Sequence, residues 1–144
     1  MKPSILCFIL LLLASAVLGK KSKTCVIPPA RHHGDASSNV ISTFKRCSHH
    51  SRVVFNKNVE YRIEKPMNIS GLHDVHISIQ GNVTFDDSNM TWWQENIFLL
   101  DFQSAGTWWI IGGDNIRVDG GGTVNGQGQV WWDAKVCCTM HITP

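Results

Sequence analysis

From Val53 onward, apolar residues fall either in short unbroken runs or in strict alternation with polar ones. Val53-Val54-Phe55 is a run, Val59, Tyr61 and Ile63 alternate, and Val75, Ile77 and Ile79 alternate again before Val83 and Phe85. Ile97 to Leu100 and Trp108 to Ile111 are further runs, followed by alternation at Ile116 and Val118. A period of two puts successive side chains on opposite faces of a strand, so this part of the chain predicts many short strands separated by turns. One earlier segment has another period. Val40, Ile41, Phe44 and Cys47 share a helical face, and Asp35 to Ser38 offers capping side chains before them. A short helix followed by strands is expected.

Two of the strand-rich stretches resemble each other. "GLHDVHISIQGNVTF", from Gly71, aligns with "GGDNIRVDGGGTVNG", from Gly112. Asp74 then matches Asn115, Val75 matches Ile116, Ile77 matches Val118, Gly81 matches Gly122 and Val83 matches Val124. A repeated unit of strand, glycine turn and strand predicts stacked coils. The stretch between the copies, Asp86 to Gly106, reads as an irregular insertion in one coil. The alignment also accounts for the glycine-rich block. Gly120-Gly121-Gly122 corresponds to Ile79-Gln80-Gly81, which places the glycines at a corner between short strands. Gly81, Gly120, Gly121, Gly122, Gly126 and Gly128 are therefore read as structural turn residues. No phosphate-loop spacing fits the block, and no long helical pattern follows it.

The chain has 144 residues and a formal net charge of +2. That length suits one domain, and the weak charge without a Lys/Arg run argues against a nucleic-acid partner. Lys2 precedes the apolar run Ile5 to Leu13, and small residues follow up to Gly19. The run is too short to span a bilayer and predicts a secretory signal over residues 1–19, hence an extracellular protein without a membrane anchor. Secretion favours a disulfide between Cys25 and Cys47. Cys137-Cys138 has no obvious partner, and no Cys/His spacing supports a zinc site, so neither metal nor cofactor is expected. Sequons at Asn68, Asn82 and Asn89 are candidate glycosylation sites.

The block "GGDNIRVDGGGTVNGQGQVWWD" strongly resembles the coil-and-corner segment of glycoside hydrolase family 28, the polygalacturonases. "CVIPP", "DASSNVISTFKRC", "VVFNKNVEYRI" and "MNISGLHDVHISIQGNVTF" precede it in the order seen in secreted fungal exo-acting members. The early cysteine pair and the extended N-terminal segment favour that branch over the endo-acting one; rhamnogalacturonan-cleaving relatives stay open. The resemblance covers the mature chain to Asp133. It implies an all-β fold, a right-handed parallel β-helix that is incomplete here, with a short N-terminal capping helix. It also implies inverting hydrolysis of α-1,4 bonds in pectin. One aspartic acid would protonate the leaving oxygen while a carboxylate activates water on the opposite face.

The family's catalytic groups lie in N-x-D, D-D, G-H-G and R-x-K motifs, and none of these is located in this chain. Asp86-Asp87 precedes the glycine block and reads as a turn. His32-His33-Gly34 is not Gly-His-Gly, and Arg62-Ile63-Glu64 ends on the wrong charge. No catalytic residue is assigned. Trp92-Trp93, Trp108-Trp109 and Trp131-Trp132 read first as packing, with one ring of each pair inward and one outward if they lie on strands. An outward ring suits sugar stacking. Residues 20–133 are thus expected to be N-terminal coils of a pectinase-like β-helix, and 134–144 a tail that departs from the family.

Val136-Cys137 can be encoded by a splice-donor-like GTATGT, so the tail is expected to be translated intron or a gene-model error, with a frameshift or stop codon as the alternative. A chain ending there would expose strand edges and an open apolar end. The expected function is a polygalacturonase-like segment, inactive by itself, that contacts pectin as a monomer. The alternative is a secreted pectin-binding or effector-like protein without catalysis.

Overall fold

The computed structural model describes residues 22–100 and 105–137. The signal segment, Cys138 and the last six residues of the tail lie outside them. The first strand, β1 (Lys23–Val26), leads through a turn at Arg31–His33 to helix α1 (Ser37–Arg46). Six strands form the body: β2 (His49–Phe55), β3 (Glu60–Ile63), β4 (Met67–Ile79), β5 (Asn82–Phe85), β8 (Trp109–Asp119) and β9 (Thr123–Asn125). Between β5 and β8 come helix α2 (Met90–Glu95) and the strands β6 (Phe98–Leu100) and β7 (Ala105–Thr107). Helix α3 (Gly128–Cys137) follows β9.

The body strands form two parallel sheets. One has the order β1-β2-β4-β8 and the other β3-β5-β9, so consecutive strands of the chain alternate between sheets. Val53 stands opposite Ile77, which stands opposite Val118; in the second sheet Tyr61 stands opposite Val83, which stands opposite Val124. Both sheets therefore advance by the same step of 41 residues, from Val75 to Ile116 and from Val83 to Val124. This is the offset of the internal sequence repeat. Parallel strands need crossover connections, and here each crossover runs through the other sheet.

The core lies between the sheets. Val53, Phe55, Tyr61, Ile63, Ile77 and Val83 are fully buried, each contributing about 1.5–3 kcal/mol of transfer free energy. Phe55 and Tyr61 meet edge to face, with centroids 5.2 Å apart. The Tyr61 hydroxyl donates to the Ile27 carbonyl at 3.1 Å and accepts from the Asn56 N–H at 2.9 Å, which satisfies a polar group in an apolar core. Helix α1 closes one end. Val40 and Phe44 face inward, while its last turn carries Lys45 and Arg46, favourable charges for a helix C-terminus. Cys25 and Cys47 are joined by a disulfide that ties β1 to the residue capping α1. At the other end, Val118 and Val124 are about half exposed because no described strand covers β8 or β9.

Three expectations need correction. The Asp86 to Gly106 stretch is more ordered than an irregular insertion, since it contains α2 and the antiparallel pair β6-β7. Trp92-Trp93 and Trp131-Trp132 lie on helices, where neighbours diverge by about 100° and do not face opposite ways. The glycine block is followed by a ten-residue helix, α3, where only strands were expected.

Candidate functional site

The outer face of the four-stranded sheet carries most of the chemistry. Arg52, His76 and Arg117 are register partners on β2, β4 and β8, so three cationic or ionisable groups stand in one row. The Arg52 guanidinium donates to Ser78 Oγ at 3.3 Å. His76 Nε2 lies 2.8 Å from Asp119 Oδ1, a close approach without the alignment of a full hydrogen bond. Arg117 Nη2 reaches the other Asp119 oxygen at 3.1 Å. His76, first, and then Arg117 hold the Asp119 carboxyl below its usual range, against a smaller desolvation effect. The row is thus partly neutralised from within.

A second group occupies the corner where β2, β4 and β8 bend. His50, Asp74 and Asn115 all have left-handed backbone, with φ of 44°, 52° and 51°. The register of the flanking residues stacks them one above another. Asn and Asp tolerate this conformation through local polar contacts, whereas histidine there is less common. Asn115 Nδ2 donates to Asp74 Oδ1 across the sheet. Asp74 Oδ2 faces His50 Nδ1 at 2.8 Å and His73 Nε2 at 3.3 Å. The Asn115 hydrogen bond, then the nearby His73 and His50, lower the Asp74 pKa despite an opposing desolvation.

The residues resembling catalytic motifs are structural. Asp86 accepts from Arg62 and from Ser88 Oγ, while Arg62 Nε also pairs with Glu64 at 2.9 Å. His32 sits in the turn before α1 with φ of 53°. Asp35 Oδ1 accepts the Ser37 N–H at 2.8 Å, and Ser37 Oγ donates to the same atom while accepting the Glu64 and Lys65 N–H groups at 3.1 Å. Asp35 and Arg62 therefore fasten α1 to β3, and neither is open to a substrate.

The glycines differ in what they require. A Cβ on Gly120, which has φ of 134°, would meet the Ile79 carbonyl oxygen at 1.8 Å. Gly122 approaches the Gly81 carbonyl, and Gly81 approaches those of Asn56 and Val59, so both allow turns to stack closely. Gly121, Gly126 and Gly128 have open space where a Cβ would go. Asn68, Asn82 and Asn89 are all exposed, and Asn89 accepts the Trp92 N–H at 3.0 Å as the cap of α2.

The tryptophans form a continuous packed chain. Trp92, Trp93, Trp108 and Trp131 follow one another with centroid separations of 5.3, 5.4 and 4.9 Å. Trp108 Nε1 donates to the Trp93 carbonyl at 3.0 Å. Trp109 turns the other way and meets Phe55 and Phe85 at 6.3 and 6.1 Å. Of the six rings only Trp132 is largely exposed, at 67%. The aromatic pairs mainly join the α2 segment and α3 to the core, as a packing reading requires.

Among known proteins, the chain is 37% identical over 120 residues to an exopolygalacturonase of Cochliobolus carbonum, covering 83% of this chain and 27% of that one. It is 36% identical over 116 residues to exopolygalacturonase X of Aspergillus niger, covering 78% and 26%. Exopolygalacturonase X-2 of Emericella nidulans matches at 36% over 114 residues, covering 78% and 25%. The chain spans about a quarter of the length of these curated relatives. No protein-family model matches it, and no solved structure matches it.

Proposed function

This chain belongs to the exopolygalacturonases of glycoside hydrolase family 28, and on that premise we propose that it forms the first coils of a right-handed parallel β-helix that degrades pectin. The observation that carries the reading is the shared step of 41 residues. The repeat read in the sequence coincides with the register of both parallel sheets, as expected where each coil adds one strand to each sheet. The described coils supply a scaffold: a disulfide-tied cap, two stacked sheets and tightly stacked glycine corners. They supply no free pair of carboxylates for inverting hydrolysis, because Asp86 is committed to Arg62 and Ser88. The segment is therefore structural in the reaction, inactive by itself, and acts on polygalacturonate only together with coils that carry an acid and a base.

Secretion and glycosylation belong to the same proposal. Asn68, Asn82 and Asn89 are exposed and open to a glycan, and among the described residues no helix is long and apolar enough to cross a membrane. The deciding experiment is a chimera. Residues 22–133 replace the matching segment of exopolygalacturonase X from Aspergillus niger, and galacturonate release from polygalacturonate is measured. Release within an order of magnitude of the parent is expected. A folded, secreted chimera without activity would refute the scaffold role. Galacturonate release by this chain alone would refute its inactivity.

The second reading is a secreted protein that binds pectin without cutting it. The row of Arg52, His76 and Arg117 favours it, since stacked cationic groups suit a polyanion. Asp119 offsets that row, so the scaffold reading is preferred.

A further inference from the structure

We propose that His50, His73 and Asp74 form a binding site for a divalent transition-metal ion, with zinc as the representative cation. The three side chains each present one donor atom, and all three atoms lie within 4.8 Å of one another. Two imidazoles and a carboxylate are a donor set that suits zinc, nickel and copper, whereas calcium and magnesium select oxygen alone.

The spacing is close to what an ion needs. Two donors about 2.1 Å from a tetrahedral zinc stand about 3.4 Å apart. Asp74 Oδ2 stands 3.3 Å from His73 Nε2 and 2.8 Å from His50 Nδ1. Entry of the ion needs the His50 ring to withdraw by about half an ångström, and that ring is half exposed and free to move.

Each ligand is also oriented from behind. Asn115 Nδ2 holds Asp74 Oδ1, which turns the other carboxylate oxygen toward both imidazoles. Asp114 Oδ2 lies 3.3 Å from His73 Nδ1. An Nδ1–H donated to that carboxylate leaves the Nε2 lone pair facing the site. A carboxylate behind a histidine ligand is the usual arrangement at zinc centres, where such partners are worth about 10–100-fold in affinity. The backbone is prearranged as well, because paired strands fix His50 and Asp74 at one left-handed corner. With three protein donors and an exposed outer side, water completes the coordination.

The site does not depend on the polygalacturonase reading. Its three ligands come from β2 and β4, and it lies apart from Asp86 and Arg62 on β3 and its exit. The ion would clasp two successive strands at their bend and would stabilise the folded chain in proportion to its binding.

The test is calorimetric titration of ZnCl2 into the secreted chain carrying Cys137→Ser and Cys138→Ser, which removes competing thiols. One zinc per chain is expected. His50→Ala, His73→Ala and Asp74→Asn should each weaken binding at least tenfold, and Asn115→Gly should weaken it about tenfold while keeping the corner backbone. His32→Ala/His33→Ala should leave it unchanged. Cobalt substitution supplies a second readout, a visible absorption band that His73→Ala abolishes. Failure to bind zinc at neutral pH overturns the proposal. Binding that survives both histidine substitutions at full affinity overturns it equally, because the ion is then held elsewhere.

Discussion

Asn115 donates a hydrogen bond to Asp74 from 41 residues along the chain, and both residues hold left-handed backbone with φ near 50°. The same corner is made on successive strands, and the two copies bond to each other through their side chains. Asn115→Ala loses the bond and forces a Cβ without polar compensation into the left-handed region, costing about 1–2 kcal/mol. Asn115→Gly loses only the bond and should cost less, since glycine adopts that backbone freely. Urea unfolding of both variants checks the order. Equal losses would mean that the backbone conformation carries no strain.

Gly81 and Gly121 lie in neighbouring turns and should respond oppositely to alanine. A Cβ on Gly81 would stand 2.2 and 2.5 Å from the carbonyl oxygens of Asn56 and Val59, which are backbone atoms unable to rotate away. Gly81→Ala should cost about 1–3 kcal/mol through overpacking. Gly121→Ala has nothing within 4 Å and ordinary φ, so it should shift stability by no more than about 0.5 kcal/mol. Denaturant midpoints compare the two directly.

Trp93 and Trp132 offer a similar contrast among the aromatics. Trp93 is 1% exposed and packs against Phe85, Trp92 and Trp108. Trp93→Ala should cost about 3–5 kcal/mol, as truncation of a buried aromatic does. Trp132→Phe should cost almost nothing and should remove the tryptophan emission most accessible to acrylamide. Quenching that persists after this change would place the accessible ring elsewhere.

The disulfide closes a segment of 22 residues between β1 and the end of α1. Loop-closure entropy of that length is worth about 3 kcal/mol. Cys25→Ser/Cys47→Ser should lower stability by about that amount and release β1 first, because β1 pairs only with β2. Hydrogen exchange at Val26 checks which strand opens; equal protection in both proteins would show that β1 is held by its ladder alone.

Asp35 makes stability depend on acid. Burial opposes its ionisation, but hydrogen bonds from Ser37, Glu64 and Lys65 outweigh burial and lower its pKa below 3.8. A group depressed on folding stabilises the protein above its unfolded pKa, and that stabilisation fades as pH falls through the lower folded value. The gap in unfolding midpoint between the natural chain and Asp35→Asn should therefore be full at pH 6 and shrink below about pH 4. A gap that is constant down to pH 2 would exclude this carboxylate as the cause.

Much of the architecture was legible in the residues. The repeat aligning Val75 with Ile116 and Val83 with Val124 is the register of both sheets, because stacked coils need like residues at like positions. The α1 helix was visible from Val40 and Phe44 and from the acidic and hydroxyl groups before them. Helices α2 and α3 were not. Each is short, and each contains a tryptophan pair whose apolar character reads equally well as strand. What keeps them helical is not a local period. Asn89 caps α2, and Trp93 and Trp131 join one chain of packed rings through Trp108.

The order of apolar and polar positions by itself determined the alternation of the strands, the step between coils and the need for glycine at Gly81 and Gly122, since these follow from side-chain period and corner geometry. Only the folded structure decided which distant polar groups meet. His50 reaches His73 and Asp74 because β2 and β4 pair in parallel with a step of 24 residues, and because a left-handed corner turns their side chains together. A period along one strand says which face a residue takes. The neighbour across the sheet is set by how far the chain travels before it returns, and the intervening turns fix that distance.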